Sequence, residues 1–480
     1  MATVSESCPS LGMKLNICEL QSIDGSNRIS VTDNVSNTVQ DIPLDLWSCQ
    51  QAILDIIAHP SEPICTGKAQ YSNWYAHYLD KKIRDLYLSP LMNSTLSFIA
   101  PQFGLTGRQP DILVTCIYRC FVVIAKELDS GSTSIVIISQ KLMELKHDSI
   151  SSSPGQDLSQ LYQFIFKGIS MITMLFEVAD NPAPSRLQLL LPTTKLRKTS
   201  RFKHSSIWHN LECPITDGSG GTMQMDIDHL LSHFGDLVPR TCYSTSENGQ
   251  NLYDDTIIAS NINFDALSKI GKLSIEWVES LSLHLELHER SSVLRLFRFP
   301  SFCALLCSRF EAPETLLSKI VSIPEPRSRS YSISATEGQY AYSSDFLIEV
   351  LCSYRLIFGQ HRASYETFVK IRPSGFRDPL LETLCGKSCI KHDFYDELEA
   401  GASKNVYSAS SDFPLIGRRI LVLQDYMNAQ NPSDLRTLWY DKRDILRWYT
   451  FWAVVVVGGV SILLSIISTV LTAVQVSQLS

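Results

Sequence analysis

The chain has 480 residues, 44% hydrophobic and 19% charged, with a net charge of −7 and a pI near 5.9. This composition is that of a globular protein and excludes a largely disordered one. Its acidic balance argues against bulk nucleic-acid binding through phosphate neutralisation, and at roughly 100–200 residues per domain it allows two or three domains.

Residues 1–41 are rich in Ser, Thr and Asn without apolar periodicity, and predict a flexible tail. Met1–Asn27 carries Glu6, Glu19 and Asp24 and no apolar run, so it is not a secretory signal. Without one, the 13 cysteines, an odd count, are expected as reduced thiols.

The body opens at Ile42-Pro43, and 42–147 reads as a helical subdomain. LDLWSCQQAILDIIAH places Leu46, Ile53, Ile56 and Ile57 at helical spacing and stops before Pro60. NWYAHYLDKKIRDLYL predicts a second helix. Pro110-Asp111 suits the start of a third, in which Arg119 marks a core helix rather than a membrane span. STSIVIISQKLMELK is ambiguous between strand and helix, and the Ser-, Pro- and Gly-bearing stretch after it marks a boundary.

A second helical subdomain is expected over 157–321, opening with one apolar helix through LSQLYQFIFKGISMITMLFEVA. Lys195, Arg197, Lys198, Arg201 and Lys203 follow as a basic run, either a solvated loop or a surface for anionic lipid or an acidic partner. Next, KLSIEWVE predicts a short helix through Trp277. The alternation of Leu283, Leu285 and Leu287 and the pattern of Leu294, Leu296, Phe297 and Phe299 predict a β-hairpin near 283–299. Residues 322–344 read as a Ser-rich linker and 345–430 as a last helical region.

The end of the chain is its strongest signal. Asn431-Pro432-Ser433-Asp434 predicts the start of a juxtamembrane helix over 431–447, and 448–476 follow as a transmembrane helix without a single charge. Phe451–Val474 alone meets the requirement of about 20 apolar residues for a hydrocarbon core of about 30 Å. Arg436, Lys442, Arg443 and Arg447 precede the span and no cation follows it, which predicts a cytosolic N-terminal body. With so few residues after the span, a tail anchor inserted after translation is expected, in the endoplasmic reticulum or a later secretory membrane. Gly458, Ser461 and Ser465, small residues near one face, would let two such helices approach as a homodimer.

The segments LRLFRFPSFC and DLRTLWYDKRDILRWYTFWAVVVVGG resemble those of a family of uncharacterised filamentous-fungal proteins, each a soluble body with a terminal apolar helix. The resemblance runs from about Leu44 onward. It implies the anchor and no activity.

Patterns that suggest chemistry are incomplete. Gly386-Lys387-Ser388 has Leu381 where a phosphate loop needs its first Gly, and the glycines at 218, 220 and 221 lack the dinucleotide spacing. Asp226, His229 and His233 share a predicted helix face, but Leu230 stands where HExxH has its Glu. His284, Glu286 and His288 are expected on the outer face of the hairpin, and Cys385, Cys389 and His392 lack a fourth ligand. Cys116/Cys120 and Cys303/Cys307 are expected in the core. No catalytic, cofactor or metal residue is therefore assigned.

The expected fold is mainly α: a multi-helix cytosolic body with a small β-hairpin and one C-terminal transmembrane helix. The expected function is that of a tethered, non-enzymatic interaction or scaffold protein. A tethered enzyme with a site assembled from distant residues, or a membrane-perturbing effector, are the alternatives.

Overall fold

A computed structural model describes residues 45–58, 68–92, 95, 110–131, 133–144, 158–183, 185–190, 210–215, 221–239, 255–307, 316–320, 341–386, 394–398, 400–430 and 445–479. Contacts set Ile42–Ser480 apart as one compact unit. The architecture is mainly helical, with three small sheets among the described residues.

Helices α1 (Leu46–Ala58), α2 (Lys68–Tyr87), α3 (Pro110–Asp129), α4 (Ile135–Glu144) and α5 (Ser159–Thr173) form the first half of the core. The ambiguous segment at 135–144 is thus a helix, packed against α3 and α5. Close approach of α5 to α3 depends on Gly168: a Cβ there would lie 2.7 Å from Ile124 Cδ1 and 2.8 Å from Phe121 Cε1. α5 is shorter than its apolar run. Met174 takes a left-handed conformation (φ 48°) and the chain leaves as an extended segment.

Strands β1 (Arg186–Gln188) and β2 (Glu212–Pro214) pair antiparallel, and α6 spans Ile227–Phe234. β3 (Thr256–Ile258) pairs antiparallel with a strand from the far end of the body, Val406–Ser408. Helix α7 is Phe264–Lys269. Three strands follow: β4 (Ser274–Val278), β5 (Glu286–His288) and β6 (Val293–Phe297), in the order β4-β6-β5.

The helix expected through Trp277 is therefore a strand, parallel to β6. Its β-branched and aromatic residues suit a pleated surface, and Trp277 Nε1 donates to the Ile371 carbonyl at 2.6 Å. The hairpin is present as β5 and β6, but the leucine alternation does not describe it. Residues 281–283 form a 3-10 turn and Leu285 has φ 62°, so the strand begins at Glu286.

β6 is central and almost wholly buried, which puts Arg295 inside. Its cross-strand partners are Glu276 on β4 and Glu286 on β5. Arg295 Nε donates to Glu276 at 3.0 Å and Nη1 to Glu286 at 2.6 Å. One row of three strands thus holds a carboxylate, guanidinium and carboxylate, which is how a charge is tolerated in a core.

Helix α8 (Pro300–Leu306) follows β6 and packs between α2 and α9 (Ala341–Tyr354). α9 begins inside the stretch expected to be linker and passes into a π-helical turn at Arg355–Gly359. Helix α10 (Pro379–Cys385), strand β7 (Val406–Ser408) and helix α11 (Gly417–Ala429) complete the body, so the last region expected to be helical also supplies a strand. Trp74 Nε1 on α2 donates to the Arg377 carbonyl at 2.9 Å, and Tyr75 Oη to the Ile172 carbonyl at 3.0 Å. The two helical subdomains and the last helical region expected from the sequence thus share one core. The expected tail at 1–41, the boundary at 148–156, residues 322–340 and the juxtamembrane residues 431–444 lie outside the described residues.

Helix α12 runs Ile445–Leu479, three residues longer at each end than the expected span. Tyr449–Gln478, 30 residues with a mean hydropathy of 2.6, is long and apolar enough to cross a membrane, and among the described residues nothing buries its most apolar stretch. The hydroxyls of Ser461, Ser465 and Thr469 donate to carbonyls one turn back at 2.8–2.9 Å, so their polar groups are satisfied within the helix.

Candidate functional site

The residues weighed for chemistry do not gather. His229 and His233 lie exposed on α6 with Asp226 exposed ahead of it. His288 turns back to Ser291, its Nδ1 lying 2.6 Å from the hydroxyl. His284 and Glu286 are buried, not on an outer face, because this end of the hairpin is enclosed between Arg295 and helix α11. Cys385 is buried at the end of α10. Lys387, Ser388, Cys389, His392, Gly218, Gly220 and the basic run at 195–203 lie outside the described residues.

Cys116, Cys120, Cys303 and Cys307 are buried in the core. Burial pushes the Cys116 thiol up to about 11 and those of Cys120 and Cys303 higher, which removes thiolate character. Among the described residues no three His, Cys, Asp or Glu side chains come together as a metal site.

A cleft of about 430 Å³ opens elsewhere, between the end of α2, the end of α5 and the extended segment after it. Its construction starts at the left-handed Met174. Ser170 Oγ donates to the Phe176 carbonyl at 2.7 Å, and the chain then runs beside β1, with Leu190 N–H donating to the Glu177 carbonyl at 2.8 Å. On the other side Leu281 N–H donates to the Met174 carbonyl at 2.8 Å and Ser282 N–H to that of Leu175 at 3.0 Å. Held on both sides, the segment aims Glu177 at the chain leaving β4.

There the Glu279 N–H donates to Glu177 Oε1 at 2.9 Å. Glu279 is itself held by Lys82, 2.6 Å from its Oε2, and by Arg298, 3.6 Å from its Oε1. Lys167 donates to the Val178 carbonyl at 2.7 Å and pairs with Asp180 at 3.0 Å. Glu177 makes no ion pair among the described residues. Burial raises its pKa above the usual carboxylate range and Glu279 adds to this, against the opposing pull of Lys82, the Glu279 N–H and Lys167.

Leu86, Leu91, Met171, Met174 and Phe176 supply apolar wall. Ser89 lines the same cleft, and its Oγ is buried without a hydrogen-bond partner among the described residues. Among the described residues the cleft offers two carboxylates without an ion pair, Glu177 in its wall and the exposed Asp85, beside a hydroxyl without a partner and an apolar surface, the usual composition of a small-molecule site. A helix predicted straight through Glu177 conceals this site at the level of sequence; the available signal is a lone carboxylate in the apolar run MLFEVA.

No protein-family model, curated protein or solved structure matches the chain.

Proposed function

We propose that this protein is a membrane-tethered interaction protein, a helical body held at a bilayer by α12. One observation carries this reading: a 30-residue apolar helix whose most apolar stretch nothing buries among the described residues. Left in water, such a surface far exceeds the few hundred Å² of contiguous apolar patch that soluble monomers expose, and lipid removes that cost. The cationic residues Arg436, Lys442, Arg443 and Arg447 support a body on the cytosolic side.

The scaffold part of the reading draws on how polar residues are used. His284, Glu286, Arg295, Glu349 and Asp378 are all buried and hydrogen-bonded to the fold itself. Self-association through Gly458, Ser461 and Ser465 belongs to the same proposal, since a Cβ at Gly458 would meet nothing within 4 Å and a second helix has room to approach. The basic run Lys195–Lys203 is proposed as a contact for anionic lipid or an acidic partner.

The test is alkaline carbonate extraction of vesicles carrying the full chain or a version ended at Arg447. The full chain is expected to stay with the lipid and the shortened one to be released. Equal release of both overturns the tether. Protease protection of an N-terminal tag reads the sidedness, and disulfide-independent crosslinking of Ser465→Leu against the parent chain reads the dimer.

A further inference from the structure

We propose that the cleft between α2 and α5 binds an organic ammonium ion with an apolar body, the cation held by Glu177 and the body by Met171, Met174 and Phe176. The charges around the cleft make the case. Its two lysines are committed: Lys82 to Glu279 at 2.6 Å, Lys167 to Asp180 at 3.0 Å and the Val178 carbonyl at 2.7 Å. Arg298, reaching Glu279 at 3.6 Å, is committed as well. Among the described residues Glu177 receives only the Glu279 N–H, and the exposed Asp85 makes no ion pair. What the cleft lacks is therefore positive charge.

The buried hydroxyl of Ser89 points the same way from an independent direction. It has no partner among the described residues, and an ammonium carries three N–H donors, one for a hydroxyl oxygen and the others for carboxylate. A bare divalent cation fits less well, since no three carboxylate, imidazole or thiol groups converge among the described residues. The volume of about 430 Å³ lies in the range of sites for small organic molecules. Burial and Glu279 raise the Glu177 pKa while Lys82 and Lys167 lower it, and a cation bound at the carboxylate would act in the same sense as the lysines.

The probe is 2-phenylethylammonium, titrated calorimetrically into the full chain in nanodiscs of zwitterionic lipid, with empty nanodiscs as the blank. Two analogues of similar size, 2-phenylethanol and 3-phenylpropanoate, separate charge from apolar contact. The ammonium is expected to bind saturably and the two analogues about tenfold more weakly or worse, the worth of one charge-assisted hydrogen bond.

Glu177→Gln is expected to lower ammonium affinity about tenfold or more while leaving the melting temperature unchanged. Leu190→Trp, at the half-exposed mouth, is expected to lower it without touching any charge, and it keeps the proposal testable if the Gln variant unfolds. Equal binding of ammonium and alcohol, unchanged affinity in a folded Glu177→Gln protein, or no saturable ammonium binding would each overturn the assignment.

Discussion

His284 and Ser353, 69 residues apart in the chain, meet inside the body with imidazole Nε2 2.7 Å from the hydroxyl. The Phe297 N–H donates to Nδ1 at 3.2 Å, so that nitrogen is unprotonated and Nε2 carries the hydrogen. Ser353 passes its own proton to the Val350 carbonyl at 2.6 Å. A second ring proton has no acceptor, and Arg419, 2.5 Å from the His284 carbonyl, repels it. Burial first, and then Arg419, push the ring from 6.5 down to about 3.

A depressed histidine contributes stability that is complete above 6.5 and drains as pH falls toward 3. Asp378 has the opposite sign: burial raises it from 3.8 to about 7 against four hydrogen bonds, so its contribution is complete below 3.8 and is lost as pH rises to 7. Between 3.8 and 6.5 the two slopes oppose each other. These two groups together are therefore expected to move the urea midpoint of the full chain little across that window. His284→Gln should leave the Asp378 slope exposed, with stability falling roughly tenfold in the folding constant per pH unit as pH rises. A variant whose profile runs parallel to that of the parent would refute the histidine's part.

Asp378→Asn tests the other arm. Asp378 caps α10, accepting from Leu381 N–H at 2.9 Å, and ties it to α8 by accepting Ser301 N–H at 3.0 Å and Ser301 Oγ at 2.8 Å. The amide keeps one acceptor oxygen and no charge, so relative to the parent the profile should tilt toward stability rising with pH between 3.8 and 6.5, the slope that His284 contributes. Asp378→Ala also leaves buried donors unpaired, and is expected to cost about 2 kcal/mol or more at every pH. Hydrogen exchange at Leu381 would show the loss of the cap directly.

The Glu276–Arg295–Glu286 row predicts an asymmetric mutational pattern. Arg295→Met strands Glu286, which is 4% exposed, and is expected to cost about 3–5 kcal/mol. The paired change Arg295→Met with Glu286→Leu removes both buried charges and should recover most of that loss. Glu276 has a side chain 24% exposed and remains hydrated, so its own replacement by Gln should cost less. Denaturant midpoints of the parent and the three variants decide it; a double variant no better than the single one would show that the row contributes more than charge balance.

Where local pattern and tertiary context agree, the sequence is informative. Pro110-Asp111 opens α3 as read, and the apolar end of the chain is one uninterrupted helix. Trp277 and Glu177 show where it is not. IEW has no turn signal to separate helix from strand, and its state is decided by pairing with β6, whose residues lie 19 positions on. Glu177 is hidden because an apolar run predicts helix until something stops it, and the stop is a left-handed Met174 that no Gly announces. His284 and Glu286 are expected to face solvent only if strict alternation continues through Leu285, whose positive φ breaks it.

The span itself can be tested without shortening the chain. Leu463 and Ile466 lie near the middle of Tyr449–Gln478, one turn apart and both 59% exposed. Replacing each by Arg puts two charges at the depth where each costs about 2.5–3.5 kcal/mol in membrane insertion. The doubly substituted chain is expected to be extracted by carbonate, while the melting temperature of its body is unchanged, because neither side chain touches the core. Arg substitutions at Ser477 and Gln478, near the far end where a side chain can reach the interface, should leave the protein in the membrane. If central and terminal substitutions behaved alike, depth would not matter, and the helix would be binding something other than a bilayer.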